Sequence, residues 1–155
     1  MVEVLGPGVT GFRKGSRVAF GPGGFPGCYT EFSVQAVANL VKLPAYVDNK
    51  TAAAALSKGW RVEYLFNRMH KLKAGETILF QAAAGGVGPI ACQWANAVGA
   101  TLIGRVSKET KAKFAKKYGA KHVIVTSKQN ITDEVMRLIK GEGVDVVCDS
   151  IGKTY

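Results

Sequence analysis

Three cysteines are all this chain has, and Cys28, Cys92 and Cys148 stand far apart and odd in number. That excludes a disulfide framework and a C-x-x-C metal pair, and it suits a reducing cytoplasm. Long apolar runs are missing as well. None reaches the ~20 residues of a membrane-spanning helix, and the first residues carry no secretory pattern. The chain reads as soluble and cytoplasmic, with no membrane partner. Histidine is scarce too, and His70 and His122 lie far apart, as surface or capping residues would. Acidic side chains are few for the length, 11 against 21 Lys and Arg, which gives a formal net charge of +10. The imbalance is local. From Arg105 to Lys121 seven basic residues meet a single acid, Glu109. A solvated helix face accounts for most such runs. A phosphate subsite would use two or three of these charges, and a nucleic-acid surface would need them all.

What is present, 155 residues with 47% hydrophobic content, suffices for one ordinary core. The chain is organised around Ile78-Leu79-Phe80-Gln81-Ala82-Ala83-Ala84-Gly85-Gly86-Val87-Gly88-Pro89-Ile90-Ala91-Cys92-Gln93. A short apolar run ends there in small residues and glycines, then passes into a helical pattern. Strand, tight turn and helix in that order are what a dinucleotide pyrophosphate requires. Within A-x-G-x-x-G, Ala83 takes the place of the first glycine. Gly85 lets the backbone approach the phosphates, and Gly88 lets the helix close on the strand. The amides of residues 86–89, backed by the helix dipole, are expected to face the negative charge. A second strand at 101–106 follows at the distance of a βαβ unit. An NAD site would place Asp or Glu after it for the ribose 2′-hydroxyl. Here stand Arg105, Ser107, Lys108 and Lys111. A hydroxyl and cations bind a 2′-phosphate that a carboxylate would repel, so the expected cofactor is NADPH rather than NADH.

Residues 1–47 read as β-rich, with strands expected at 2–5, towards residue 20, at 28–34 and at 40–44, and a loop at 21–27. Asp48 or Asn49 is a candidate N-cap for a helix through 51–56. Gly59 is expected to interrupt it before a second helix at 60–70. Residues 73–76 form a turn into the central strand. Beyond that strand, helix 87–98 leads to strand 101–106, helix 108–118 to strand 121–125, and helix 131–140 to strand 144–148. This alternation implies a doubly wound parallel sheet. It stops after one mononucleotide half and the first strand of the next, so the sequence reads as truncated at both ends. The walls of a substrate pocket are then expected outside it. An unpaired fourth strand would leave a sheet edge and an apolar face open, favouring self-association.

Four segments together resemble the NADPH-dependent quinone oxidoreductases, the zinc-free, zeta-crystallin-like members of the medium-chain dehydrogenase/reductase superfamily. They are Gly15-Ser16-Arg17-Val18, Leu56-Ser57-Lys58-Gly59, the 82–88 loop with Ala91-Cys92-Gln93-Trp94-Ala95, and Val144 through Gly152. The resemblance covers nearly the whole chain. It implies an α/β fold, a partial Rossmann doubly wound parallel sheet preceded by part of a GroES-like β-domain. Residues 1–50 would be the later part of the GroES-like catalytic domain, and 51–155 the linker helix with the first half of the NADPH-binding domain. By the same resemblance Gly86 and Val87 contact the pyrophosphate, Ser107 and Lys111 the 2′-phosphate, and Ser150 lies near the cofactor; Gly85 and Gly88 of the motif complete the expected cofactor-binding turn. Lys58 and Thr126 match further cofactor-lining positions. Arg61 stands where many relatives place Thr near the nicotinamide, and Thr126 where some place Tyr. Zinc-dependent relatives put a catalytic Cys at the position of Lys58, whose ammonium has no lone pair to give, so no metal is expected. The implied activity is reduction of a quinone or an α,β-unsaturated carbonyl, with a homo-oligomer, a dimer, as the working form. No proton donor is assigned; Tyr29 and Tyr64 are the available phenols. The alternative is a non-catalytic nucleotide- or RNA-binding module using the basic helix.

Overall fold

The computed structural model describes residues 1–21 and 30–152. The expectations resting on residues 22–29, including Cys28 and Tyr29, and on residues 153–155 lie outside the described residues. The chain divides into two compact units, Met1–Ser57 and Lys58–Tyr155.

In the first unit β1 (Val18–Phe20) pairs antiparallel with β2 (Leu40–Lys42), Val18 opposite Lys42 and Phe20 opposite Leu40. The residues before β1 show how the pair is anchored. Gly15 turns the chain at φ +83°, and the buried Ser16 hydroxyl accepts the Arg13 amide at 3.0 Å. Arg17 then donates to Asn49 Oδ1 at 2.8 Å and to the Val47 carbonyl, tying β1 to the start of α1. The strand expected at 2–5 does not form. Only Val2 is paired there, donating to the Ser16 carbonyl and accepting the Gly15 amide. Residues 30–34 are likewise irregular. Alternating side chains supply a face, but a strand also needs a partner ladder, and these segments find none among the described residues.

Helix α1 runs over Asn49–Glu63. Asp48 caps it, accepting the Thr51 hydroxyl at 2.6 Å and the amides of Lys50 and Thr51 at 2.8 and 3.0 Å. These bonds, that from the Thr51 hydroxyl first, hold its carboxyl below the usual range. Gly59 does not interrupt α1, which continues without a break into a π-helical turn, Tyr64–Met69. A mid-helix glycine costs only ~1 kcal/mol. Val62 and Phe66, 0% and 2% exposed in the core, more than offset that.

The second unit is built on β3 (Thr77–Phe80), β4 (Thr101–Val106), β5 (His122–Val125) and β6 (Val146–Cys148). They form a wholly parallel sheet in the order β5-β4-β3-β6. Helices α2 (Gly88–Val98), α3 (Glu109–Lys117) and α4 (Ile131–Leu138) make the crossovers. This order is the first half of a doubly wound nucleotide fold plus the opening strand of the second, as the βα alternation predicted. One face of the sheet, with Ile78, Phe80, Leu102 and Val106, packs on Val62, Phe66, Ala91, Cys92, Ala95, Ala112 and Ala115. The other, with Leu79, Ile103 and Ile124, packs on Val135 of α4. Burial on both faces explains the apolar run Ile78–Phe80 of β3, while β4 carries one inward charge, Arg105. Each fully buried Ile or Leu adds about 1.5–3 kcal/mol. At one border β6 pairs with β3 alone among the described residues, and Val147 is 55% exposed.

Where the chain enters β3, Glu76 Oε2 lies 2.9 Å from His70 Nε2 and accepts the Lys73 amide at 2.8 Å. The hydrogen bond from His70, then that from Lys73, hold the Glu76 carboxyl below its ordinary value. A depressed folded value stabilises fully above the ordinary carboxylate range, and that contribution is lost as pH falls through the folded value. Glu76→Gln should therefore lower the thermal midpoint at pH 7, and the gap to the parent should close in acid as the carboxylate is protonated. A gap that persists at low pH would show that the carboxylate charge is not involved.

Candidate functional site

All four strands of the parallel sheet end on one edge, at Phe80, Val106, Val125 and Cys148. The connections leaving that edge carry Gly85, Gly86, Val87, Gly88, Ser107, Lys111, Thr126 and Ser150, whereas Lys58 lies on α1. The strand order reverses between β3 and β6, and there a doubly wound sheet opens a crevice for ligands.

The turn after β3 is stitched to both neighbouring strands. The Gln81 amide donates to the Cys148 carbonyl at 3.1 Å, and the Ala83 amide to the Arg105 carbonyl at 3.0 Å. Ala82 adopts φ +52°, and Gly85 closes on it with an N–H···O bond of 2.8 Å. A methyl group at Gly88 would lie 2.0 Å from the Ala83 carbonyl oxygen, so only glycine lets α2 begin there. A methyl at Gly86 would instead lie 2.9 Å from Cε of Lys58, whose side chain passes over the turn. No side chain caps α2 at Val87, and Pro89 sits in its first turn. The amides of Ala84, Gly86, Val87 and Gly88 make no hydrogen bond among the described residues. The donors at this turn are thus 84 and 86–88, a correction to the 86–89 expected, since Pro89 has no N–H. Uncapped helix amides and the dipole behind them are a ready anion site.

One strand over, the chain repeats the device. Lys108, at the N-cap position of α3, offers no capping side chain, and the amides of residues 107–110 are unbonded among the described residues. Ser107 and Lys111 are exposed beside this start. Asx residues cap the other two helices: Asp48 on α1, and Asn130 on α4 through the Asp133 amide. Thr126, at the end of β5, turns its hydroxyl back to the Val106 carbonyl at 3.4 Å. Ser150 is exposed after β6, in a turn that Asp149 Oδ1 fixes by accepting the amides of Ile151 and Gly152 at 2.8 and 3.2 Å.

Arg105 departs from its expected place among the cations of the second strand end. It is 6% exposed and donates through Nη1 to Gln81 Oε1 at 3.0 Å. Its alternation with Ile103, which is buried on the same face, was the available signal: an inward charge needs a buried partner. Arg61 and Tyr64 are exposed on α1 and on the turn that follows it.

Cys92 and His70 are engaged elsewhere in the fold. Burial pushes the Cys92 thiol up to about 11, so it stays protonated in the core. His70 is engaged with Glu76. No group of three His, Cys, Asp or Glu could hold a metal ion among the described residues. Nor is any described helix long and apolar enough to cross a membrane.

The chain is similar to proteins already known. The family described as zinc-binding dehydrogenase matches residues 86–155. A quinone oxidoreductase of Pseudomonas aeruginosa is 47% identical over 98% of this chain, and a 2-haloacrylate reductase of a Burkholderia species 42% identical over 99%. The chain spans 46% of each relative's length. The crystal structure of a Pseudomonas syringae quinone oxidoreductase superposes with a TM-score of 0.93 at 47% identity, covering 97% of this chain and 46% of that one. The Escherichia coli quinone oxidoreductase in complex with NADPH superposes with a TM-score of 0.85 at 36% identity, covering 98% of this chain and 46% of that one.

The two glycines of the turn should separate by experiment. Gly88→Ala forces backbone apart and should cost about 3 kcal/mol of stability in chemical denaturation. Gly86→Ala meets only the flexible end of Lys58 and should cost under about 1 kcal/mol. Equal losses would contradict this division between a packing glycine and one that keeps the turn open.

Proposed function

We propose that this chain, a homologue of the quinone oxidoreductases of the medium-chain dehydrogenase/reductase superfamily, binds NADPH along the sheet edge and forms part of an enzyme that reduces quinones or enones. One observation carries the reading. The two helices that start at the glycine turn and one strand beyond it have bare N-terminal amides, while α1 and α4 are capped by their own Asx side chains. Leaving two helix starts uncapped costs about 1 kcal/mol each unless an anion satisfies them.

In this reading the amides of Gly86, Val87 and Gly88 hold the pyrophosphate, with Gly85 closing the turn and the Lys58 ammonium above it. Ser107 and Lys111, with the amides at the start of α3, hold the 2′-phosphate. Thr126 borders the adenosine side, and Ser150 the switch point. The reduced nicotinamide, when bound, supplies the hydride that a quinone or electron-poor alkene accepts. The working form in this reading is a homo-oligomer, a dimer. Reductase relatives support this reading above that of an RNA-binding module.

NADPH should bind more tightly than NADH, and Lys111→Ala should shrink that preference about fivefold, as loss of one exposed charge contact implies. Titrations of NADPH, NADH and a short RNA in rising salt test this. Equal affinity for the two coenzymes, or RNA that displaces NADPH, would overturn it.

A further inference from the structure

We propose that Lys128 sets the coenzyme preference of this site by neutralising Glu109, an inference that rests on the NADPH reading above. Glu109 is the one acid between Arg105 and Lys121. It is also the first residue of α3, two positions after Ser107 and two before Lys111. A free carboxylate there opposes a 2′-phosphate twice. It repels the anion, and at the positive end of the helix it competes for the same bare amides. An acid just after the second strand is also what selects NADH in a nucleotide fold.

The fold removes this obstacle from a distance. Lys128 Nζ lies 3.0 Å from Glu109 Oε1, reaching across from the turn between β5 and α4. That turn is held in place. The amides of Lys128 and Gln129 donate to the Val125 carbonyl at 3.0 and 3.1 Å, and Gln129 Oε1 accepts the Val125 amide at 3.0 Å. Asn130 then caps α4, so the backbone at Lys128 is held while its side chain reaches through solvent. Both side chains are more than half exposed, at 61% and 57%. A pair so exposed adds little to folding. Its effect is on the local charge: with Glu109 paired, Ser107 and Lys111 face an anion with no net opposition.

Lys128→Met, Glu109→Gln and the double variant test the proposal, with NADPH, NADH, 2′,5′-ADP and 5′-ADP as probes at low salt. Lys128→Met should weaken NADPH and 2′,5′-ADP about fivefold and leave NADH and 5′-ADP within about twofold, the scale of one surface charge. Glu109→Gln should bind the 2′-phosphorylated probes at least as well as the parent. The double variant should match Glu109→Gln, because without the acid there is nothing for Lys128 to neutralise. A double variant as weak as Lys128→Met, or equal losses for both coenzymes, would overturn the proposal. A parent chain that ignores the 2′-phosphate would overturn the NADPH reading and the proposal with it. A parent that prefers NADPH but is indifferent to Lys128→Met would overturn the proposal alone.

Discussion

The approach of Gly88 to the backbone of Ala83 fixes where α2 begins, and the site follows from that one position. With no side chain between them, the first turn of the helix rests on the end of β3, and its amides stay unbonded among the described residues. The same economy recurs on the neighbouring strand. A methyl group at Gly104 would lie 2.7 Å from Ala83 Cβ, so β4 can lie flush against the turn only because that position is bare. The buried alanine at 83 is therefore compatible with the turn because its neighbours on α2 and β4 have given up their own side chains.

Helix capping then distributes the charge. An Asx side chain at the start of a helix satisfies amides internally and removes them from any ligand. Asp48 and Asn130 do so for α1 and α4. Val87 and Lys108 cannot, and α2 and α3 keep their positive ends open on a shared edge. Two open helix starts on adjacent strands suit a ligand with two separate anionic groups better than a single phosphate. Nucleic acid would instead be held by exposed lysines along the whole of α3.

The βα alternation, the glycine turn and the basic second strand end were legible in the sequence, because each is a local pattern with a local cause. What was not legible depended on partners. Residues 2–5 have the composition of a strand and, beyond Val2, no neighbour among the described residues to complete one. Gly59 has the mark of a helix break, yet the packing of Val62 and Phe66 carries α1 through it. Arg105 read as a surface cation because the run around it is basic, whereas its place on the buried face of β4 sends it to Gln81. The ion pair of Glu109 and Lys128 spans separate crossovers of the fold, so no spacing rule announces it.

These features divide the proposed coenzyme contacts into two kinds. Amides at the start of α2 are held by the backbone, partly enclosed, and indifferent to the conformation of any long side chain. Ser107, Lys111, Glu109 and Lys128 are exposed, so their charges are screened over about 8 Å in physiological salt and each contributes modestly. In the proposed reading, recognition of the dinucleotide and choice between its two forms are thus separable. The first is built into the approach of Gly88 to Ala83, where few substitutions are tolerated. The second rests on a handful of solvated side chains whose balance a single substitution can tip without disturbing the fold.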